Sequence, residues 1–147
     1  MDYEINLPIL DNVGGYKSLI YIETSSGLSA KESLEKMALY FKREFRYDYL
    51  QYDALEDNDD CVGVLFTERA FDLVQSDDHY PNRVIGGACF HEKKESEYEL
   101  DWVWLHPFAR NRKHLKNNWL NFKKRFGEFT VTEPLSAHMA SFVKRHA

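Results

Sequence analysis

Trp102-Val103-Trp104-Leu105-His106-Pro107-Phe108-Ala109-Arg110-Asn111-Arg112-Lys113-His114-Leu115 is the stretch of this chain richest in chemistry. A β-prone run ends in a proline turn, and a helix opens behind it with a string of basic residues. The start of a helix carries unpaired backbone amides and the positive end of the helix dipole, which suits a phosphate. Arg110, Arg112 and Lys113 add side-chain charge there, so the segment is set to hold a pyrophosphate or a similar anion. Upstream, Glu99 and Asp101 share a strand face by period-two alternation and can raise one another's pKa. A solvated strand face is the plainer account of that pair. His106, His114 and His138 are further proton acceptors, although a lone histidine near a turn more often serves the surface or the fold.

The hydrophobic period supplies the scaffold for these side chains. Lys17–Glu23 is short and β-prone and predicts a strand. Ser29 and Glu32 have capping-box spacing, and Leu34, Met37, Ala38, Phe41 and Phe45 recur at helical spacing, which predicts a helix to about Tyr47. Strands are expected at Cys61–Thr67, Arg83–His91 and Glu97–Leu105, the last two joined as a hairpin by the charged turn Glu92–Ser96. On the last strand Tyr98, Trp102 and Trp104 alternate toward one face, as core under a helix. From Phe108 a second helix presents Leu115, Trp119, Phe122 and Phe126 on one stripe and ends near Gly127. Glu128–Thr132 reads as a short strand, and Ser136 can cap a final helix that turns Met139, Phe142 and Val143 inward.

This order of elements and the segment 102–115 resemble the GNAT acetyltransferase superfamily. In that family a strand, often ending Val-x-Pro, leads to x-x-(Arg/Gln)-x-x-Gly-x-(Gly/Ala) at the start of a helix. Leu105-His106-Pro107-Phe108-Ala109-Arg110 matches the approach and the first motif position. Ile85-Gly86-Gly87-Ala88 looks like the strand that pairs with it, and Glu128–Thr132 and the helix from Ser136 stand where the family's next strand and helix stand. The resemblance covers about residues 60–147, and the tail Phe129–Phe142 is similar to that of a short bacterial GNAT-like subgroup. Lys113 replaces the first motif glycine, as in the cohesin acetyltransferases, and Leu115 replaces the second. Val143 stands where a tyrosine often protonates the leaving thiolate.

The resemblance implies an α/β (α+β) fold: a mixed, mostly antiparallel central sheet with helices on both faces. One acyl-CoA N-acyltransferase-like domain over 1–147 is expected, with acetyl-CoA as cosubstrate, an amine acceptor of unknown identity and direct attack on the thioester. The backbone of Val103, Trp104 and Leu105 would receive the pantetheine amides. Arg110, Asn111, Arg112, Lys113, His114 and Leu115 would hold the pyrophosphate. Glu99 lies eleven residues before Arg110, the spacing of the general base of GNAT histone acetyltransferases, and would take the amine proton beside Asp101. The alternative is a catalytically silent module of the same fold that binds CoA or a protein partner. Leu115 and Val143 speak for it.

Composition narrows the remaining classes. With 147 residues, 44% hydrophobic and 15% aromatic, the chain can bury a core of its own. No apolar run nears the ~20 residues of a membrane helix, and the N-terminus lacks the pattern of a secretion signal, so a cytoplasmic protein is expected. Cys61 and Cys89 stand in apolar stretches as core thiols, and no His/Cys cluster implies a metal. A net charge of −5 disfavours nucleic acid as a partner, although Arg110, Arg112, Lys113, Lys116, Lys123, Lys124 and Arg125 form a basic run. Tyr47, Tyr49 and Tyr52 beside Asp48, Asp53, Glu56 and Asp57 would suit a cationic amine. A homodimer is a further expectation, since the family often dimerises.

Overall fold

The computed structural model describes residues 5–10, 18–56, 58–70, 72, 81–110, 113–132 and 142–145. In chain order the elements are β1 (Ile9–Leu10), β2 (Leu19–Ile22), α1 (Leu28–Phe45), β3 (Cys61–Arg69), β4 (Asn82–Lys94), β5 (Glu97–Leu105), a 3₁₀ turn (Pro107–Ala109), α2 (His114–Phe126) and β6 (Thr130–Val131). Residues 142–145 are helical, and Ser136 and Met139 of the expected last helix lie outside the described residues. The sheet runs β2-β3-β4-β5-β6, antiparallel except for the parallel β5–β6 pair, and β1 adds to the start of β4. Part of the N-terminal segment is thus an extra strand.

Strand alternation divides the apolar side chains between two faces. Val64 and Phe66 of β3 join Ile85, Ala88 and Phe90 of β4 beneath α2, which contributes Leu115, Trp119, Phe122 and Phe126 as its period predicts. Leu65 turns to the other face and meets Ile22, Val84, Cys89, Trp102 and Trp104 beneath α1. Helices therefore cover both faces, as expected. On α1 the buried stripe is Leu34, Met37, Ala38 and Tyr40, whereas Phe45 at its C-terminal end is 40% exposed. Tyr40 is inside because its hydroxyl holds the backbone of Asn6, donating to the carbonyl at 3.0 Å and accepting from the amide at 2.7 Å.

Small residues set how closely α1 approaches the sheet. A Cβ at Gly87 would stand 2.9 Å from Met37 Cβ, and one at Gly63 would run into the Leu34 side chain. Both strands can lie under the helix only without side chains at those points.

Two helix starts differ from expectation. Ser26 closes a turn onto Glu23 O at 3.0 Å, and the Gly27 carbonyl accepts from Lys31 N–H at 3.2 Å. Gly27 is therefore the N-cap, α1 begins at Leu28, and the Ser29 capping box does not form. The second difference falls in the basic segment. The His106 ring accepts from Phe108 N–H at 3.1 Å and caps a 3₁₀ turn at Pro107–Ala109. Lys113 is left-handed (φ 64°), which a right-handed helix cannot contain, so α2 starts at His114 rather than at Phe108. Its far end agrees with expectation: Gly127, at φ 71°, is the C-cap.

Candidate active site

β5 pairs with β4 along its length but with β6 only at Glu99 and Leu100. Leu100 pairs with Val131, and its carbonyl accepts Thr132 N–H at 2.9 Å. Beyond that point β6 gives β5 no further pairing among the described residues. The register with β4 shifts at the same place: Phe90 faces Leu100 and Cys89 faces Trp102, leaving Asp101 as a bulge. Among the described residues, nothing pairs with the β6 side of β5 from the bulge to its end. His106 N–H donates to Ile85 O at 2.7 Å, which fixes the hydrogen-bond phase. Trp104 turns its backbone polar groups to β4, while Val103 and Leu105 turn theirs to the β6 side. Of the three backbone groups expected to receive a ligand, Trp104's face the wrong way.

The bulge also resets the side-chain alternation. Tyr98 and Leu100 pack on the α2 side, and Trp102 and Trp104 on the α1 side. The expected grouping of Tyr98 with both tryptophans is thus corrected. Period-two alternation across Asp101 fails for the same reason, yet Glu99 and Asp101 do converge. The Thr132 hydroxyl lies 2.8 Å from a Glu99 oxygen and 3.3 Å from Asp101 Oδ1. Lys93 Nζ sits 2.7 Å from Glu99 Oε1. The Lys93 hydrogen bond is the main influence that holds Glu99 below the usual carboxylate range. Burial pushes Asp101 up, against the pull of His91 and Thr132. Asp101 is therefore the stronger proton acceptor of the two.

The basic segment is partly neutralised from within. Arg110 Nε donates to Leu105 O at 2.8 Å, and its guanidinium pairs with Glu44 of α1. Trp104 Nε1 donates to the same Glu44 oxygen at 2.9 Å. Burial pushes Glu44 up, but the bonds from Arg110 and Trp104 outweigh it and leave the carboxyl below its ordinary value. His114 Nε2 lies 2.8 Å from Glu68 Oε2, so its ring faces β3 rather than the turn. Leu115 is 8% exposed and packs within the α2 core. Lys113 is exposed and makes no side-chain bond among the described residues. Asn111, Arg112 and His138 lie outside the described residues.

Glu44, Lys93 and Thr132 belong to this site and were not singled out from the sequence. Glu44 stands 66 positions from Arg110, and no local spacing reveals such a pair. Lys93 had one signal, since the hairpin turn at Glu92–Ser96 brings it back beside β5. Among the described residues, no group of His, Cys, Asp or Glu could hold a metal ion, and no helix is long and apolar enough to cross a membrane.

The sheet is mixed and mostly antiparallel, with one parallel pair and a helix on each face. The particular fold is that of the GNAT acetyltransferases. Solved structures similar to this chain include GCN5 of Tetrahymena, at 13% identity, covering 97% of this chain and 78% of that one with a TM-score of 0.53. A ribosomal-protein-alanine N-acetyltransferase from Brucella melitensis biovar Abortus 2308 aligns at 10% identity over 88% of this chain and 90% of that one, TM-score 0.53. An aminoglycoside acetyltransferase from an uncultured soil metagenomic sample, in complex with sisomicin, aligns at 8% identity over 86% and 84%, TM-score 0.51. At these identities the likeness is one of fold. No protein-family model matches the chain, and no curated protein matches it.

Proposed function

We propose that this protein is an acetyl-CoA-dependent N-acetyltransferase acting on a primary amine. The observation that carries this reading is the edge of β5 beyond Asp101, which no described residue pairs and which leads into the Pro107–Ala109 turn and Lys113. An acyl-pantetheine chain has the amides to complete such an edge as an added strand would, through Val103 and Leu105. Leu105 O is already taken by Arg110, which leaves Val103 N–H, Val103 O and Leu105 N–H for the ligand. Lys113 is the described cation best placed for the pyrophosphate.

The acceptor nitrogen would bond to the thioester carbon, the carbon–sulfur bond would break with CoA leaving as a thiolate that takes its proton from solvent, and the amine proton would pass to a carboxylate. Asp101 suits that role in its raised state. Glu99 would serve it once an incoming ammonium displaced Lys93, which already occupies the position an acceptor amine would take. A second reading, a catalytically silent module of the same fold, is favoured by the engagement of Arg110 with Glu44 and of Lys93 with Glu99.

Calorimetric titration with acetyl-CoA, alongside the melting temperature, tests the reading. Saturable binding is expected, and ligand at about 100 times its dissociation constant adds about 2.7 kcal/mol of stability. Lys113→Ala should weaken binding roughly tenfold, or about 1.4 kcal/mol. It is a cleaner probe than Arg110→Ala, which would also leave Glu44 without its partner. No binding at millimolar acetyl-CoA rules the proposal out. Binding without transfer to any primary amine selects the silent module.

A further inference from the structure

Lys93 reaches Glu99 because the β4–β5 hairpin carries a second irregularity near its turn. Glu92 pairs with Tyr98 and Lys94 with Glu97, so two steps along β4 match one along β5 and Lys93 is the extra residue of a bulge. A bulge re-aims the side chain that it carries. Here it sets Lys93 Nζ 2.7 Å from Glu99 Oε1, with the lysine side chain 52% exposed and the glutamate side chain 17%. A primary amine is thus held on the carboxylate proposed as the base, and solvent still reaches it.

The acetyl donor would arrive at the same point. The Thr132 hydroxyl lies between Glu99 and Asp101, at 2.8 and 3.3 Å, so both carboxylates meet at the Asp101 bulge. There the stretch of β5 that no described residue pairs on its β6 side begins, and it runs toward the Pro107–Ala109 turn. A pantetheine arm that enters at the turn and bonds Leu105 and Val103 therefore points its thioester at the bulge. Strands rise about 3.4 Å per residue, so Asp101 stands about 7 Å beyond Val103. An amine and a thioester held together in this way react as parts of one molecule, without the entropic cost of an encounter.

We propose that Lys93 is a self-acetylation site: its side-chain amine takes the acetyl group from acetyl-CoA bound to the same molecule. The inference rests on the acetyltransferase reading above and adds a modification site to it. Glu99 takes one proton from the Lys93 ammonium, the neutral Nζ bonds to the thioester carbonyl carbon, and the carbon–sulfur bond breaks. CoA leaves as a thiolate and takes a proton from solvent, while the surplus nitrogen proton and the one on Glu99 pass to solvent. The product is a neutral amide that can no longer pair with Glu99. Self-acetylation thereby frees the carboxylate for a second, diffusible amine.

Peptide mass spectrometry after incubation with acetyl-CoA tests this with no acceptor added. Lys93 should gain one acetyl group roughly 100-fold faster than Lys94, its exposed neighbour, and the first-order rate constant should not change with protein concentration. Glu99→Gln should slow labelling of Lys93 roughly 100-fold at saturating acetyl-CoA. Lys93→Arg, which keeps a cation beside Glu99, should leave the protein with no fast-labelled lysine. Equal labelling of Lys93 and Lys94 overturns the inference, as does a rate that survives Glu99→Gln. A rate constant that rises with protein concentration means transfer between molecules and overturns it too. Calorimetry with acetyl-CoA accompanies each protein. Binding without labelling of Lys93 defeats self-acetylation and leaves the acetyltransferase reading standing. Failure to bind defeats that reading and the inference with it.

Discussion

Glu99 and Asp101 carry the same functional group in surroundings that drive their acidities apart. The Lys93 hydrogen bond holds Glu99 down, whereas burial lifts Asp101. A carboxyl lowered on folding stabilises the protein above its unfolded pKa, and that contribution fades as pH falls through the folded value. One raised on folding does the reverse: its contribution is present below the unfolded pKa and is lost as pH rises through the folded one. Glu99→Gln should therefore lower the melting temperature at neutral pH, with the deficit shrinking in acid below about pH 4. Asp101→Asn should gain on the wild type as pH climbs from that range toward neutrality. Melting curves of the three proteins across pH check both slopes, and parallel curves would refute the assignment.

At the scale of elements, the contact of α1 with the sheet depends on what β3 and β4 lack. Gly87→Ala would put a methyl group against Met37 Cβ, at the 2.9 Å separation already noted, where helix backbone rather than a flexible chain end must give way. Overpacking of this kind costs about 1–3 kcal/mol. A urea transition should move to lower denaturant by that amount with an unchanged slope. The same helix reaches the β5 end through Glu44, which binds the Trp104 indole and the Arg110 guanidinium together. Position and packing of α1 are thereby tied to the turn that would receive the pyrophosphate.

The molecule as a whole has two apolar clusters that share a single sheet. Trp102 and Trp104 report the α1 cluster, and Trp119 reports the other. Residues of β3 alternate between the clusters, so neither can be lost while the strand remains ordered on both faces. Unfolding should be one cooperative transition. Fluorescence of Trp119→Phe should give the same midpoint, relative to its own circular dichroism, as fluorescence of Trp102→Phe with Trp104→Phe does to its own. Separate midpoints for the two probes would mean that the faces unfold independently. Charge is likewise arranged across the whole molecule: Arg125 pairs with Glu23 and His114 with Glu68, so acidic residues of distant segments offset the basic run of the 110–125 region.

Local signals in the sequence determined the strands β3, β4 and β5, the inward stripe of α2, the Gly127 cap and the turn at Pro107, because each rests on a short-range period or on one residue's backbone preference. They also brought Glu99, Asp101 and the 103–115 segment forward as the candidate site. Tertiary structure alone decided the rest. The bulge at Asp101 is a register choice made against β4, and it assigned Trp102 and Trp104 to one face, Tyr98 to the other and only part of the β5 backbone to the β6 side. Gly27 displaced Ser29 as the cap because the Glu23–Ser26 turn delivered the chain there. The partners of Arg110 and Glu99, Glu44 and Lys93, follow from how α1 and the β4–β5 hairpin lie against β5. The Glu44–Arg110 pair spans 66 positions and depends on distance in space, which no spacing along the chain encodes, whereas Lys93 and Glu99 are brought together by the local hairpin.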